Sequence, residues 1–204
     1  MPRDIVTTVY LYNELSPKAQ EKAREWWVDL IDSQDYGASV IEDALEVAEC
    51  LGIDIDIKKG HPAIYWSGFS SQGDGASFTG IFRPTGEALA KVKEYAPVGM
   101  TLQAIAGELD GAYSLAGDEA RCEVTVSGHY CHSYAMDYAF PDLDYSGDSG
   151  NRADKLVRSA LRRFADWIYM QLEASYWAEV SDEVVAENLE ANEYTFTAEG
   201  KRFG

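Results

Sequence analysis

Residues 65–82 read YWSGFSSQGDGASFTGIF, in which two aromatic runs flank a loop of Ser, Gln, Gly and Asp. The aromatic runs predict two strands, and Gly73 and Gly75 around Asp74 favour a tight turn with positive φ angles. A phosphate-binding loop is a poor fit, because this segment contains no Lys and Asp74 would repel an anion. We therefore predict a β-hairpin whose polar tip is free to serve recognition.

The rest of the chain alternates between helical and extended patterns. Ser16 followed by Pro17 marks the start of a helix, and Gly52 marks the end of another. The apolar spacing predicts helices over about 17–32, 38–51, 87–96, 101–116, 151–178 and 182–192. Extended segments are predicted over 5–12, 53–57 and the hairpin arms, with two long strands over 119–140 and a closing ribbon that turns at Glu199 and Gly200.

These elements predict an α+β fold, because the hairpin-like pairs favour antiparallel pairing over a regular series of parallel strands. We expect a mostly antiparallel sheet covered by several amphipathic helices. At 204 residues the chain is long enough for one compact domain over 1–204. An alternative to a single domain is that the C-terminal helix and ribbon form an appendage over about 181–204. Gly107 and Gly111 share one face of their helix and predict a close approach of backbone there.

The charge balance is the strongest global feature of the sequence. It has 35 acidic against 17 basic residues, a formal net charge of −18. Such a chain repels nucleic acid and anionic membranes, so we expect neither direct nucleic-acid binding nor membrane binding, and a basic protein as partner. There is no apolar run of 18 residues and no signal-peptide pattern, which predicts a cytoplasmic protein. The three cysteines are too few and too scattered for a disulfide framework.

Four strings carry a resemblance to known sequences: ELSPKAQEKA, SGFSSQGDGASFTG, GHYCHSYAM and ENLEANEYTFTAEGKRF. Together they resemble a loose group of uncharacterised phage and prophage proteins, some of which are labelled as antitoxins of toxin–antitoxin stability systems. The resemblance implies a mobile-element origin and a bacterial host cell. It transfers no catalytic residue to this chain.

Two polar regions are candidates for partner binding. One is the acidic face of the second predicted helix, and the other is the tip of the hairpin. Their residues are Glu42, Asp43, Glu46 and Glu49 on the helix, and Ser70, Ser71, Gln72 and Asp74 on the hairpin. A second acidic face, on the last helix, carries Asp182, Glu183, Glu187 and Glu190.

The segment PDLDYSGDSGNRAD offers hard oxygen ligands for a divalent cation. With Asp142 at the first position of a calcium loop, Asp144 falls third and Asp148 seventh, but Ala153 replaces the required bidentate acid at position 12. A solvated acidic loop is the simpler interpretation, and no other cofactor is predicted. In HYCH, a strand would place His129 and Cys131 on one face and His132 on the other, so these residues are predicted as ordinary sheet residues rather than a zinc site.

The longest helix carries several cations, which we expect to pair within the helix as Asp154 with Arg158 and Arg162 with Asp166. This face could also receive an acidic partner or a second copy of the chain, so a homodimer stays open.

Three functions remain, the plainest of which is a structural or housekeeping phage protein whose acidity serves solubility only. The favoured one is an acidic, non-enzymatic protein that modulates a basic toxin or host protein, by nucleic-acid mimicry in an antitoxin or anti-defence (anti-CRISPR-like) role. The alternative is a metal-dependent hydrolase of a nucleotide or small molecule, using Asp74, Asp137, Asp142 and Asp144 with His129 or His132 as base.

Overall fold

The computed structural model describes residues 6–32, 37–69 and 71–204. Helices and strands are interspersed and every strand pair is antiparallel, so the predicted α+β class is confirmed. The helices are α1 (Pro17–Asp32), α2 (Ala38–Leu51), α3 (Ala88–Tyr95), α4 (Met100–Ala116), α5 (Asp148–Glu179) and α6 (Asp182–Ala191). The strands are β1 (Ile53–Ile55), β2 (Ile57–Lys58), β3 (His61–Pro62), β4 (Ile64–Ser67), β5 (Gly75–Phe78), β6 (Gly80–Phe82), β7 (Cys122–Val126) and β8 (Met136–Ala139).

The chain divides into two compact units. The terminal unit comprises residues 1–38 and 174–204, and the central unit comprises residues 39–173. Each unit has a hydrophobic cluster of its own. The prediction of one domain over 1–204 stays a prediction. Within the described ranges, no helix has the length and apolar character needed to cross a membrane.

The terminal unit is organised around aromatic side chains of α1 and the C-terminal ribbon. Trp26 lies edge-on to Tyr194, with ring centroids 5.2 Å apart, and Phe196 is fully buried. The ribbon turns at Gly200, where φ is +81° and an added Cβ would lie 2.0 Å from the Ala19 carbonyl oxygen. Only glycine fits that turn, because a side chain would be strained there and would collide with α1.

The predicted strand over 5–12 is wrong over its described part. Ile5 lies outside the described residues, and a single antiparallel bridge joins Tyr10 to Phe196. Tyr12 already belongs to a 3₁₀ turn, Tyr12–Glu14. Tyr12 is buried in the core of this unit, but Val6 is almost fully exposed, so the β-branched and aromatic composition here does not mark a strand.

The central unit contains a four-stranded antiparallel sheet in the order β1-β6-β7-β8. Gly80 of β6 is opposite Ile55, and an added Cβ on Gly80 would lie 2.2 Å from the Asp54 carbonyl oxygen, so glycine permits this close pairing. The predicted hairpin is confirmed: β4 pairs with β5 from Ile64 opposite Phe78 to Ser67 opposite Gly75.

Helix α5 contributes more buried residues to the core of the central unit than any other described element. Its buried stripe includes Phe164, which meets Phe78 of β5 edge-on at 5.6 Å between ring centroids. The expected backbone approach at the α4 glycines is wrong. An added Cβ would meet nothing within 4 Å at Gly107, and only the Leu156 side chain, at 3.5 Å, at Gly111.

Candidate functional site

The acidic face of α2 is the most strongly charged surface that the sequence singled out. Ala44, Val47, Ala48 and Leu51 are buried on one side of this helix. The opposite side exposes four carboxylates, at positions 42, 43, 46 and 49. The 3.6-residue period places these four residues along one stripe, because positions three and four apart are neighbours on a helix. We call Glu42, Asp43, Glu46 and Glu49 the α2 acidic face.

None of these carboxylates forms an ion pair with a cation of the described residues. The Tyr95 hydroxyl of α3 donates a hydrogen bond to Asp43. This bond, followed by burial, raises the pKa of Tyr95 above its ordinary value. A cavity of about 400 Å³ beside the helix is lined by Glu46, Glu49, Cys50, Lys91 and Tyr95. The face is therefore held on α3 by a neutral tyrosine, and its negative charge is left for solvent or a partner.

The hairpin tip is organised by Asp74. Its carboxylate accepts hydrogen bonds from the Ser71 amide at 2.5 Å and from the Ser67 hydroxyl at 3.3 Å. Ser71 and Gln72 are exposed, whereas Ser70 lies outside the described residues. Asp74 is thus a structural residue that closes the loop, and the side chains offered to a partner are those of Ser71 and Gln72.

The tip packs against the segment between β7 and β8, which the sequence did not reveal. Gly73 has φ of +105°, and an added Cβ would lie 2.9 Å from the Tyr130 ring. Tyr130 stacks on His132 with ring centroids 5.6 Å apart. The aromatic residues of HYCHSY are the one feature of the sequence that could have indicated a packing surface here. Residue spacing within that segment cannot predict its contact with a loop that lies more than 50 residues earlier in the chain.

The prediction that His129, Cys131 and His132 are sheet residues is wrong. They lie in the segment after β7, which ends at Val126, and before a 3₁₀ turn, Ser133–Ala135. The His132 Nδ1 atom accepts a hydrogen bond of 3.1 Å from the Tyr134 amide, which caps that turn. Gly128, with φ of +86°, lies two residues after the end of β7, where the chain turns away from the sheet.

The acidic loop 142–148 has protein partners for each carboxylate. Asp142 lies 3.8 Å from Arg121, and Asp148 lies 4.0 Å from Arg152. Asp144 accepts hydrogen bonds of 2.8 Å from the amide and the hydroxyl of Ser146, which lower the pKa of its carboxyl. Across the described part of the chain, no three His, Cys, Asp or Glu side chains are grouped to hold a metal ion. The structure therefore does not bring Asp142, Asp144 and Asp148 together as a cage, nor the acids and histidines of the hydrolase alternative.

The cations of α5 are held both by ion pairs within the helix and by contacts with residues elsewhere in the chain. The predicted pair of Asp154 with Arg158 is confirmed. The predicted pair of Arg162 with Asp166 is wrong, since the Arg162 guanidinium lies over the Tyr134 ring at 5.0 Å from its centroid.

Arg163 pairs with Glu108 of α4 at 2.6 Å. Three of these cations, Arg152, Arg158 and Arg163, are engaged by carboxylates, and Arg162 is engaged by an aromatic ring. The α5 face therefore offers less free positive charge than its sequence indicates.

Comparison with known families gives one match. The chain matches the family described as a domain of unknown function (DUF8835) over residues 36–182. Because this match covers more than half of the chain, the chain belongs to that family. No curated protein and no solved structure matches it.

Proposed function

We propose that this member of the DUF8835 family is a non-enzymatic acidic protein that binds a basic surface of another protein through the α2 acidic face. One observation carries the proposal: four exposed carboxylates form one stripe, and none has an ion-pair partner among the described side chains. Like charges three and four residues apart destabilise an isolated helix slightly. A basic partner would turn that repulsion into attraction.

The net charge of −18 also favours this class of partner. A field of this sign repels nucleic acid and speeds the approach of a basic protein. A protein surface that binds the phosphates of nucleic acid is one such partner, because the clustered carboxylates of this chain present a similar array of negative charge. The resemblance to phage and prophage proteins supports a toxin or a nucleic-acid-handling host complex as the target, in the cytoplasm of a bacterial host. Ser71 and Gln72 stay a predicted second contact.

The proposal is tested by affinity capture from bacterial lysate, followed by mass spectrometry, with three forms of the full chain. They are the wild type, an α2 variant and a control variant. The α2 variant carries E42Q, D43N, E46Q and E49Q. The control variant carries E21Q, E25Q, E119Q and E199Q, which are exposed positions outside the described ion pairs and outside both acidic faces.

Both variants lose four negative charges, so they differ only in where the charge is removed. We expect a basic protein to be captured by the wild type and the control and to bind the α2 variant about 30-fold more weakly, because each exposed pair contributes a few tenths of a kcal/mol or more. Equal weakening by both variants would assign the effect to net charge and would contradict a role for α2. Capture that neither variant changes would contradict it as well.

A further inference from the structure

Strand β1 lies at an open edge of the four-stranded sheet. Within the described ranges, its one neighbour in the sheet is β6. The Gly52 carbonyl accepts a hydrogen bond of 2.8 Å from the Arg83 amide, and the Asp56 amide donates one of 2.9 Å to the Thr79 carbonyl. Alternate residues of a strand direct their backbone polar groups to opposite sides. Ile53 and Ile55 therefore direct theirs away from β6, toward the open edge.

This edge borders a groove whose other wall is α2. The groove has a volume of about 460 Å³, and Leu45, Ala48 and Glu49 line it from the helix. Clefts of roughly 300–1,000 Å³ are typical of binding sites. Ile53 and Ala48 are almost fully buried and Leu45 is half-buried, so the floor is apolar.

The rim of the groove is acidic. Glu49 belongs to the α2 acidic face and Asp54 is exposed on β1. Arg83, at 2.6 Å from Asp54, is the one cation of the described lining, and it is already paired. The groove thus joins the outward backbone groups of Ile55, a narrow apolar floor and an acidic rim.

We propose that an extended, basic segment of the partner protein adds to β1 as a fifth strand in this groove. The proposal rests on the proposed function and specifies how the partner is bound. Main-chain hydrogen bonds to the half-buried Ile55, whose backbone groups face the open edge, would hold the segment, as in other complexes formed by strand addition. Its side chains would alternate between the two faces of the sheet. Apolar carbons would cover Leu45 and Ala48, and Lys or Arg side chains would reach Glu49 and Asp54.

A second copy of this chain is a poor occupant of the groove. Each copy carries a net charge of −18, and pairing of two β1 edges would bring Asp54 and Glu49 close to their own counterparts. Like charges directly opposite each other destabilise a strand pair. Charge complementarity therefore selects a basic segment.

The test uses the full-length ¹⁵N-labelled protein and an acetylated octapeptide of alternating lysine and valine as the probe. NMR should show slower exchange of the Ile55 amide when the peptide is bound. A second peptide, with the same side chains but N-methyl groups at every second residue, lacks the backbone donors on one edge. It should bind at least about fivefold more weakly, because a lost hydrogen bond costs on the order of 1 kcal/mol.

Ile55→Pro removes an outward amide without removing a bond to β6, a position at which an edge strand accepts proline. Ile55→Val retains the amide and is the matched control. We expect the proline variant to bind the first peptide at least about fivefold more weakly, and the valine variant to bind as the wild type does. Should the proline variant fail to fold, the N-methylated peptide still decides the question on the wild type.

The possible outcomes separate the two proposals. One outcome is that the α2 variant no longer binds the peptide, while neither N-methylation of the peptide nor Ile55→Pro changes the affinity. Binding through the α2 acidic face then stands, and strand addition is overturned. If the peptide binds but leaves the exchange of the Ile55 amide unchanged, strand addition is overturned as well. If the lysine peptide does not bind at all, the acids only protect the edge from other chains, and this inference fails. Basic-partner binding is then decided separately by the capture experiment.

Discussion

Asp110 of α4 caps a helix that is distant from it in sequence, and its removal is predicted to destabilise the protein. Its two carboxylate oxygens accept hydrogen bonds of 3.0 Å each from the Ala88 and Leu89 amides, at the start of α3. Glu87, at the usual N-cap position of α3, makes no capping bond with its side chain. Asp110→Ala therefore leaves two amides of the first turn without a protein acceptor.

The magnitude follows from the type of bond that is lost. Loss of an N-cap costs about 0.5–2 kcal/mol, and hydrogen bonds to a charged group lie at the upper end of the range for such bonds. We expect Asp110→Ala to lower the free energy of unfolding by about 2 kcal/mol, which corresponds to a fall in Tm of about 4–8 °C for a chain of this length. Urea unfolding followed by circular dichroism, with thermal scans, measures both quantities.

Two matched variants make the test specific. Asp110→Asn keeps one acceptor oxygen and should lose about half as much as Asp110→Ala. Asp118→Ala removes an exposed carboxylate that forms no described ion pair, and should change stability by less than about 0.5 kcal/mol. A loss below about 0.5 kcal/mol for Asp110→Ala, or equal losses for Ala and Asn, would refute the capping role.

Two further predictions concern the hairpin tip and the cysteines. Asp74→Ala should lower the free energy of unfolding by about 1–2 kcal/mol, because two hydrogen bonds that close the loop are lost. The affinity for the partner should stay unchanged. A loss of affinity without a loss of stability would contradict the structural role of Asp74. At pH 8, iodoacetamide should modify the half-buried Cys131 well before Cys122, because burial raises the pKa of the Cys122 thiol to about 12. Because that pKa is raised, the neutral thiol contributes fully to stability below pH 9, and this contribution declines as the pH rises toward 12. The free energy of unfolding in urea should therefore fall more between pH 9 and 12 for the wild type than for Cys122→Ala.

The helices could be predicted from the sequence because their signals are local. Apolar spacing placed α2 at residues 38–51, as observed, and α5 within three residues of its start at Asp148. Strands depend on partners that lie elsewhere in the chain. The extended patterns of 5–12 and of HYCH therefore predicted strands where the structure has one bridge and a loop.

The same distinction applies to the candidate site. The α2 acidic face follows from the helical period alone. The open edge of β1 could not be predicted, because it depends on which strand occupies the end of the sheet. The cap from Asp110 to Ala88 spans 22 residues and leaves no pattern in either segment. The alternation of apolar and acidic residues over 53–57 predicted a strand, but not that β6 would be its one neighbour in the sheet among the residues that the structure describes.

The most direct measurement is the salt dependence of the dissociation constant for the captured partner, between about 50 and 300 mM NaCl, for the wild type, the α2 variant and the control variant. Exposed charges are screened more strongly as salt rises. If the α2 acidic face binds the partner, the wild type and the control should weaken steeply with salt, and the α2 variant should start weaker and change little. Parallel salt dependence of all three proteins would contradict binding through this face.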